Sequence, residues 1–304
     1  EVSMLDTTLA LHLMRAVDEG THVLLVGDAD QLPSVSAGNV LHDIISSRAF
    51  PTTELDTIFR QAQDSAIVRN AHKIKHGDFP ELPPHPTDFY FIEKSELEEV
   101  RDEIVSLVTK RIPKEFGFSP KDDVQVMAPL YKTKAGVTEL NEQIQNVLNP
   151  KSSKKNEIRV GFTVFREGDR VMQLRNNYDK DVYNGDVGVI TGVTNGENLE
   201  VSVAYSSSAL RSEAPVIYKN DEVREITLAY AVSVHKSQGS EYPVVVMPVV
   251  TSHFIMLQRN LLYTAVTRAK KLVILVGQKK AVFIALKNDK PQKRYSGLVN
   301  QLSK

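Results

Sequence analysis

The sequence predicts an α/β fold with a small all-β module inserted in its second half. Three observations predict it. Apolar runs of strand length at residues 124–128, 244–250 and 272–276 read as strands buried inside a sheet rather than half-exposed ones. Segments with helical spacing alternate with these runs, as in βαβ units. After Asn149 the texture changes to short strands separated by turn signals.

The elements follow in order. Residues 9–17 have helical spacing, and 22–27 read as a short apolar strand ending at Gly27. Residues 38–46 form a helix after a Ser/Gly-rich turn. Residues 65–76 form a helix ended by Gly77, and 80–86 are a Pro-rich break. Residues 89–92 are a strand. Residues 96–110 are a helix with Leu97, Val100, Ile104, Leu107 and Val108 on one face. The strand at 124–128 leads through the loop 129–136 into a helix at 137–148. A Lys/Ser-rich linker, 150–156, precedes a β module spanning about 162–204, SH3-like in scale. Its turns lie at Arg166-Glu-Gly-Asp169, Asn184-Gly-Asp186 and Asn195-Gly-Glu197. Residues 223–234 return to the α/β pattern. The division expected is 1–50, 51–156, 157–222 and 223–304, with the third segment inserted into the domain formed by the second and fourth.

The chain has 304 residues, enough for about two domains at roughly 150 residues each. No apolar stretch approaches the roughly 18 residues of a membrane span, so no membrane partner is expected. No signal-peptide pattern is present. The absence of Cys excludes a disulfide framework and Cys-based metal sites, and suits a reducing cytoplasm. Residue 1 is Glu, in keeping with a piece of a longer chain. The net charge of −1 hides an asymmetry. Residues 226–304 hold twelve Lys and Arg against two acids, a surplus of ten, which leaves residues 1–225 at −11. A basic segment beside an acidic body points to a polyanion, although a solvated Lys-rich terminus gives the same count.

Two segments carry the chemistry: Ala231-Val-Ser-Val-His235-Lys236-Ser237-Gln238-Gly239-Ser-Glu241 and Tyr263-Thr-Ala-Val-Thr-Arg268-Ala-Lys270. Each adjoins a buried strand, where open α/β folds bind ligands. A Gly-flanked turn, hydroxyls, amides, a Lys and an Arg suit phosphate. These segments resemble motifs V and VI of superfamily-one helicases, most closely the RecD-like branch.

The resemblance runs through nearly the whole chain. Glu1-Val-Ser-Met resembles the end of a Walker B motif whose Asp lies before residue 1. In that family the Asp holds Mg²⁺ through a water and the Glu, here Glu1, polarises the attacking water. Leu25-Val-Gly-Asp28-Ala-Asp30-Gln31-Leu-Pro33 resembles motif III, with Gln31 sensing the γ-phosphate; Asp28 acts through Mg²⁺ or as a structural turn residue. Leu55-Asp-Thr-Ile-Phe-Arg60-Gln61 resembles motif IV. The resemblance makes Arg60 and Arg268 arginine fingers, a task suited to delocalised charge and several donors. Motif V implies DNA-backbone contacts from His235, Lys236 and Ser237. It implies nucleotide contacts from Gly239, which permits close backbone approach, and from Glu241, which binds the ribose hydroxyls. A His at a strand end is as often a structural residue.

The loop Tyr131-Lys132-Thr133-Lys134-Ala-Gly136 lies between a strand and a helix, which suits Thr133 and Lys134 to a DNA phosphate, or is an ordinary β–α loop. Arg166, Arg170, Arg175, Tyr178 and Tyr183 form either a basic, aromatic surface for single strands or a structural hairpin.

Taken together, the resemblance implies tandem RecA-like P-loop NTPase domains, the first partial, with an SH3-like insertion. It implies ATP and Mg²⁺ as cofactors, single-stranded DNA as partner, 5′-to-3′ unwinding and a role in repair or recombination. It favours a stand-alone enzyme over a subunit of a helicase–nuclease. No Gly-x-x-x-x-Gly-Lys-[Ser/Thr] occurs in the sequence, so this segment alone is expected to be inactive. The rival is a non-catalytic single-strand-binding module, for which Arg268→Ala makes no ATP-linked difference.

Overall fold

Helix α1 (Thr7–Ala16) opens at Asp6, whose carboxylate accepts the Leu9 N–H at 2.7 Å. The computed structural model describes residues 1–55, 64–194, 199–205, 214–289, 294 and 296–303. The chain divides into two units, one of residues 1–93, 237–245 and 249–304, the other of residues 94–236 and 246–248.

In the first unit, α2 (Val40–Ser47) and α3 (Ala66–His76) follow α1. The ends of α3 lie where the sequence puts them. The Ser65 hydroxyl accepts from Val68 N–H and donates to Asp88. At the other end Gly77 takes φ +79°, with its N–H on Ile74 C=O and that of Asp78 on Lys73 C=O. Strand β1 (Phe89–Glu93) pairs in parallel with β12 (Ala269–Gly277), placing Phe89 opposite Val273. β11 (Tyr242–Val249) is the next strand in that sheet. The apolar runs of β11 and β12 are buried as expected. Helix α7 (Arg259–Thr267) packs on α3, and α8 (Lys279–Lys287) follows β12. The short α9 (Leu298–Leu302) lies against α2. Gly277 has φ +144°, and a Cβ there would sit 2.1 Å from Val249 O, so only Gly fits.

One expected element is not formed. Residues 22–27 adopt no strand, and Val23, Leu24 and Val26 are exposed. An apolar run becomes a strand only where a ladder takes its N–H and C=O groups. Here Val26 C=O accepts from Val2 N–H at 3.0 Å, and no strand of the described residues pairs with the segment.

His253 is fully buried in a 3₁₀ turn (Thr251–Met256). Burial disfavours the imidazolium and pushes the pKa down from 6.5 to about 4. The neutral ring therefore contributes stability above pH 6.5 that is lost as pH falls towards 4, on the order of 3 kcal/mol in full. Urea titrations at pH 7 and pH 4.5 check this. The drop in stability between the two should be smaller in His253→Phe than in the wild type.

In the second unit, α4 (Leu97–Ser106) continues through a π-helical turn (Leu107–Arg111) into α5 (Ile112–Phe116). The expected end at residue 110 falls short because the buried stripe of Val100, Ile104, Leu107 and Val108 extends to Ile112. Pro113 is the second residue of α5, directly after the π-helical turn. Strand β2 (Val124–Ala128) pairs in parallel with β10 (Ala231–Ser233). Helix α6 (Val137–Leu148) is bound to β10 by Asn141, whose side chain donates to Ala231 C=O at 2.7 Å and accepts from its N–H at 2.9 Å.

The β module contains the hairpin of β3 (Glu157–Val160) and β4 (Thr163–Arg166). Its five-stranded sheet comprises β5 (Arg170–Gln173), β6 (Val187–Thr194), β7 (Glu200–Tyr205), β8 (Val216–Lys219) and β9 (Ile226–Leu228), in the order β8-β7-β6-β5-β9. The strand pairs for which registers are defined are antiparallel. β9 comes after the expected span of the module and pairs with β5, Val171 facing Leu228. The turn expected at 195–197 lies outside the described residues.

Asp169 lies at the hub of this unit. It is fully buried, and its two oxygens accept from Asn149, Tyr230, Gln145 and the Arg166 N–H. Burial raises its pKa above the ordinary carboxylate value, against the pull of these donors.

Candidate nucleotide site

A polar cluster of the first unit forms where the loop 28–32 meets α7. Asp28 makes a tight turn, one oxygen accepting the Asp30 N–H at 3.0 Å. Its other oxygen accepts from Gln31 Nε2 at 3.1 Å and from the Tyr263 hydroxyl at 3.0 Å. Burial and the neighbouring carboxylate push the Tyr263 pKa up, keeping the phenol protonated. One residue along α7, the Thr264 hydroxyl accepts the Leu32 N–H at 2.8 Å, and Gln238 Nε2 donates to Leu32 C=O at 2.6 Å. Asp28 is therefore placed as a turn residue with three donors on its carboxylate.

Arg268 closes α7 and is nearly fully buried. Its Nη2 donates to Gln31 Oε1 at 2.8 Å and its Nη1 to Ser240 C=O at 3.3 Å. Glu1 Oε1 stands 3.8 Å from Nη1 and is partly exposed. The Nε–H of Arg268 has no acceptor among the described residues. A buried donor without an acceptor costs about 1–3 kcal/mol, more when charged. A guanidinium held this way suits an anion with several acceptor oxygens. The cluster thus fits a nucleotide phosphate on its own geometry. A metal cage is a different matter: among the described residues no group of three or more His, Cys, Asp or Glu is placed to hold an ion.

The structure brings together Glu1, Gln31 and Arg268. Gly239, next to the Ser240 whose C=O accepts from Arg268, is exposed and has φ +76°. Glu241 is exposed and ion-paired with Lys270 at 2.7 Å, a hydrogen bond that lowers its pKa. Arg60 lies outside the described residues. Tyr263 and Thr264 were not singled out by sequence reasoning. The signal was present, since the spacing from 264 to 268 is one helical turn.

The residues expected at DNA divide differently. Ser237 is fully buried. In the second unit, Thr133 is half-buried and Lys134 exposed, in the turn before α6, where Gly136 N–H reaches Thr133 C=O at 2.9 Å. Gly136 is required there, because a Cβ would sit 2.5 Å from Tyr131 O. His235 and Lys236 are half-buried after β10. Lys236 Nζ donates to Asn184 Oδ1 at 2.7 Å, and burial lowers its pKa. Two of the arginines offered for a basic surface are buried. Arg166 donates to Glu157, Asn146 and Asn149 C=O, and Arg170 to Val124 C=O. These bonds hold the module to α6 and β2, so the structural alternative applies to both. Arg175 is exposed and ion-paired with Glu225. Tyr178 and Tyr183 are exposed, edge to face at 6.0 Å.

A RecA-like α/β motor fold with an SH3-like insertion is the class these features define. Comparison with known proteins narrows it. Residues 140–205 match the family model of the ATP-dependent RecD-like DNA helicase SH3 domain. Residues 228–276 match the UvrD-like helicase C-terminal domain, and residues 1–90 an AAA domain. The ATP-dependent RecD2 DNA helicase of Deinococcus radiodurans is 32% identical over 285 residues, covering 94% of this chain and 36% of the relative. The RecBCD enzyme subunit RecD of Mycolicibacterium smegmatis is 26% identical over 313 residues, covering 99% of this chain and 53% of the relative. Among solved structures, Pif1 helicase from Candida albicans aligns with TM-score 0.55 at 18% identity, covering 100% of this chain and 75% of that one. Pif1 helicase from Bacteroides, in complex with ADP-AlF3 and ssDNA, aligns with TM-score 0.51 at 19% identity, covering 96% and 71%. These two speak for the fold. The chain belongs to the RecD-like helicases of superfamily one. It spans about a third to a half of the length of these curated relatives.

Proposed function

We propose that this chain is the part of an ATP-dependent DNA helicase that senses the γ-phosphate and holds single-stranded DNA. The observation that carries the reading is the buried Arg268, bonded to Gln31 and still holding an unused donor. In this reading Arg268 neutralises charge developing on the transferred phosphoryl group, and Arg60 adds a second cation. Gln31 and Glu1 face the attacking water, Glu1 polarising it and Gln31 orienting it. Gly239 and Glu241 line the nucleotide, Glu241 exchanging Lys270 for the ribose hydroxyls. ATP supplies the phosphoanhydride whose cleavage drives movement, and the Mg²⁺ accompanying it would balance the charge of its phosphates. Thr133, Lys134, His235 and Lys236 hold the DNA backbone; Ser237, expected there too, is fully buried and is not assigned a contact.

The domain reading that goes with this assigns 1–50 to a first RecA-like domain, 51–156 and 223–304 to a second, and 157–222 to the insertion. The enzyme works 5′ to 3′ in repair or recombination, in the cytoplasm, on its own rather than as a helicase–nuclease subunit. Among the described residues no helix is long and apolar enough to cross a membrane.

Steady-state ATP hydrolysis by the helicase that carries this chain, with and without single-stranded DNA, tests the proposal. Strong stimulation by DNA is expected. DNA binding without DNA-dependent hydrolysis would replace the motor with a binding module. The DNA-contact assignment is tested on the chain itself. Lys134→Ala should weaken binding of a labelled oligo(dT) and reduce the slope of log K against log salt by about 0.7, one phosphate contact on a single strand. An unchanged slope removes Lys134 from the DNA path.

A further inference from the structure

Helix α7 grips the amide of Gln31 from both ends. Arg268, at the end of the helix, donates to Oε1 at 2.8 Å. Tyr263, five residues earlier, donates at 3.0 Å to Asp28 Oδ2, and that oxygen accepts Gln31 Nε2 at 3.1 Å. We propose that Tyr263 and Asp28 are positioning residues that fix the rotation of the Gln31 amide, so that its oxygen, not its nitrogen, faces Arg268 and the attacking water. The proposal rests on the nucleotide reading of the site.

A Gln amide has an acceptor end and a donor end of nearly the same shape, so packing alone does not choose between them. Arg268 is all donor, and a flipped amide would set N–H against N–H. An ionised carboxylate only accepts, so Asp28 receives the NH₂ end and nothing else. Its Oδ1 is committed to the Asp30 N–H, and the Tyr263 hydroxyl adds a second donor on Oδ2. The carboxylate is thereby held by three donors, and its plane cannot turn away from Gln31 without breaking two of them. An amide oxygen is what orients an attacking water in phosphoryl transfer, and an amide nitrogen facing that water has no lone pair to accept its proton. Tyr263 and Arg268 sit on one helix, so any shift of α7 moves both grips on the amide together.

Two readouts test this. In the 304-residue chain labelled with [¹⁵N]Gln, the side-chain amide of Gln31 is assigned by its loss in Gln31→Ala. Its hydrogen exchange should be slow in the wild type. Tyr263→Phe and Asp28→Asn should each speed it about tenfold, the loss of roughly one net hydrogen bond, with the remaining Gln signals unmoved. In the helicase carrying this chain, Tyr263→Phe should lower kcat for ATP about tenfold with KM little changed. It should have no further effect in a Gln31→Ala background, because it acts through Gln31. Unchanged amide exchange, or kinetic effects that multiply in the double variant, would overturn the proposal. If Gln31→Ala leaves hydrolysis intact, the nucleotide reading fails, while the exchange result still judges the amide lock by itself.

Discussion

Arg268→Ala should slow ATP hydrolysis by the intact helicase about a thousandfold or more, the usual effect of losing an arginine finger. Single-stranded DNA binding should stay within about twofold, since the partners of Arg268, Gln31 and Ser240, are not among the residues assigned to DNA, and sites without shared partners act independently. The expectation follows from placement. Arg268 is buried, its two outer nitrogens are spent on Gln31 and Ser240, and its Nε–H is unused. Such a cation is held ready in a low-dielectric site, where charge stabilisation is strongest. Arg268→Lys should not rescue the loss, because one ammonium cannot reach Gln31 and Ser240 together in the same planar geometry. Hydrolysis rates for the two variants, beside DNA affinity by anisotropy, check this. Loss of DNA binding in Arg268→Ala would mean a structural role instead.

The largest stability effect should come from Asp169→Ala in the second unit. Removing the carboxylate strands Asn149, Gln145, Tyr230 and the Arg166 N–H together. Breaking a buried polar network of this kind costs about 3–5 kcal/mol. Asp169→Asn should recover part of the loss. Each oxygen accepts from two donors, and Asn keeps one acceptor while turning the other into a donor facing donors. Urea unfolding of the three proteins should rank wild type above Asn and Asn above Ala. Equal stability of wild type and Ala would show that water satisfies these groups and that Asp169 holds nothing together.

Much of the fold was legible because it was written locally. The helix from Ala66 to His76 carries its own start at Ser65 and its own stop at Gly77, and both act as the sequence suggests. The buried runs of β11 and β12 needed no context either. What failed depended on partners. Residues 22–27 have strand composition, yet a strand exists only where another takes its hydrogen bonds. The extension of α4 past residue 110 depended on what Ile112 packs against.

The same holds for the site. The motif strings pointed to Gln31 and Arg268, and the fold puts them 2.8 Å apart. They did not show that Arg166 and Arg170 are buried against backbone carbonyls, because charge in a sequence says nothing of direction. Nor did they show Tyr263 reaching Asp28, a bond between residues 235 positions apart in sequence.

The most direct test of the central claim is strand separation by the intact helicase on duplexes with either a 5′ or a 3′ single-stranded tail, with ATP or a non-hydrolysable analogue. The account predicts unwinding of the 5′-tailed duplex with ATP alone, and its loss in Arg268→Ala. Unwinding that proceeds with the analogue, or that survives Arg268→Ala, would contradict it.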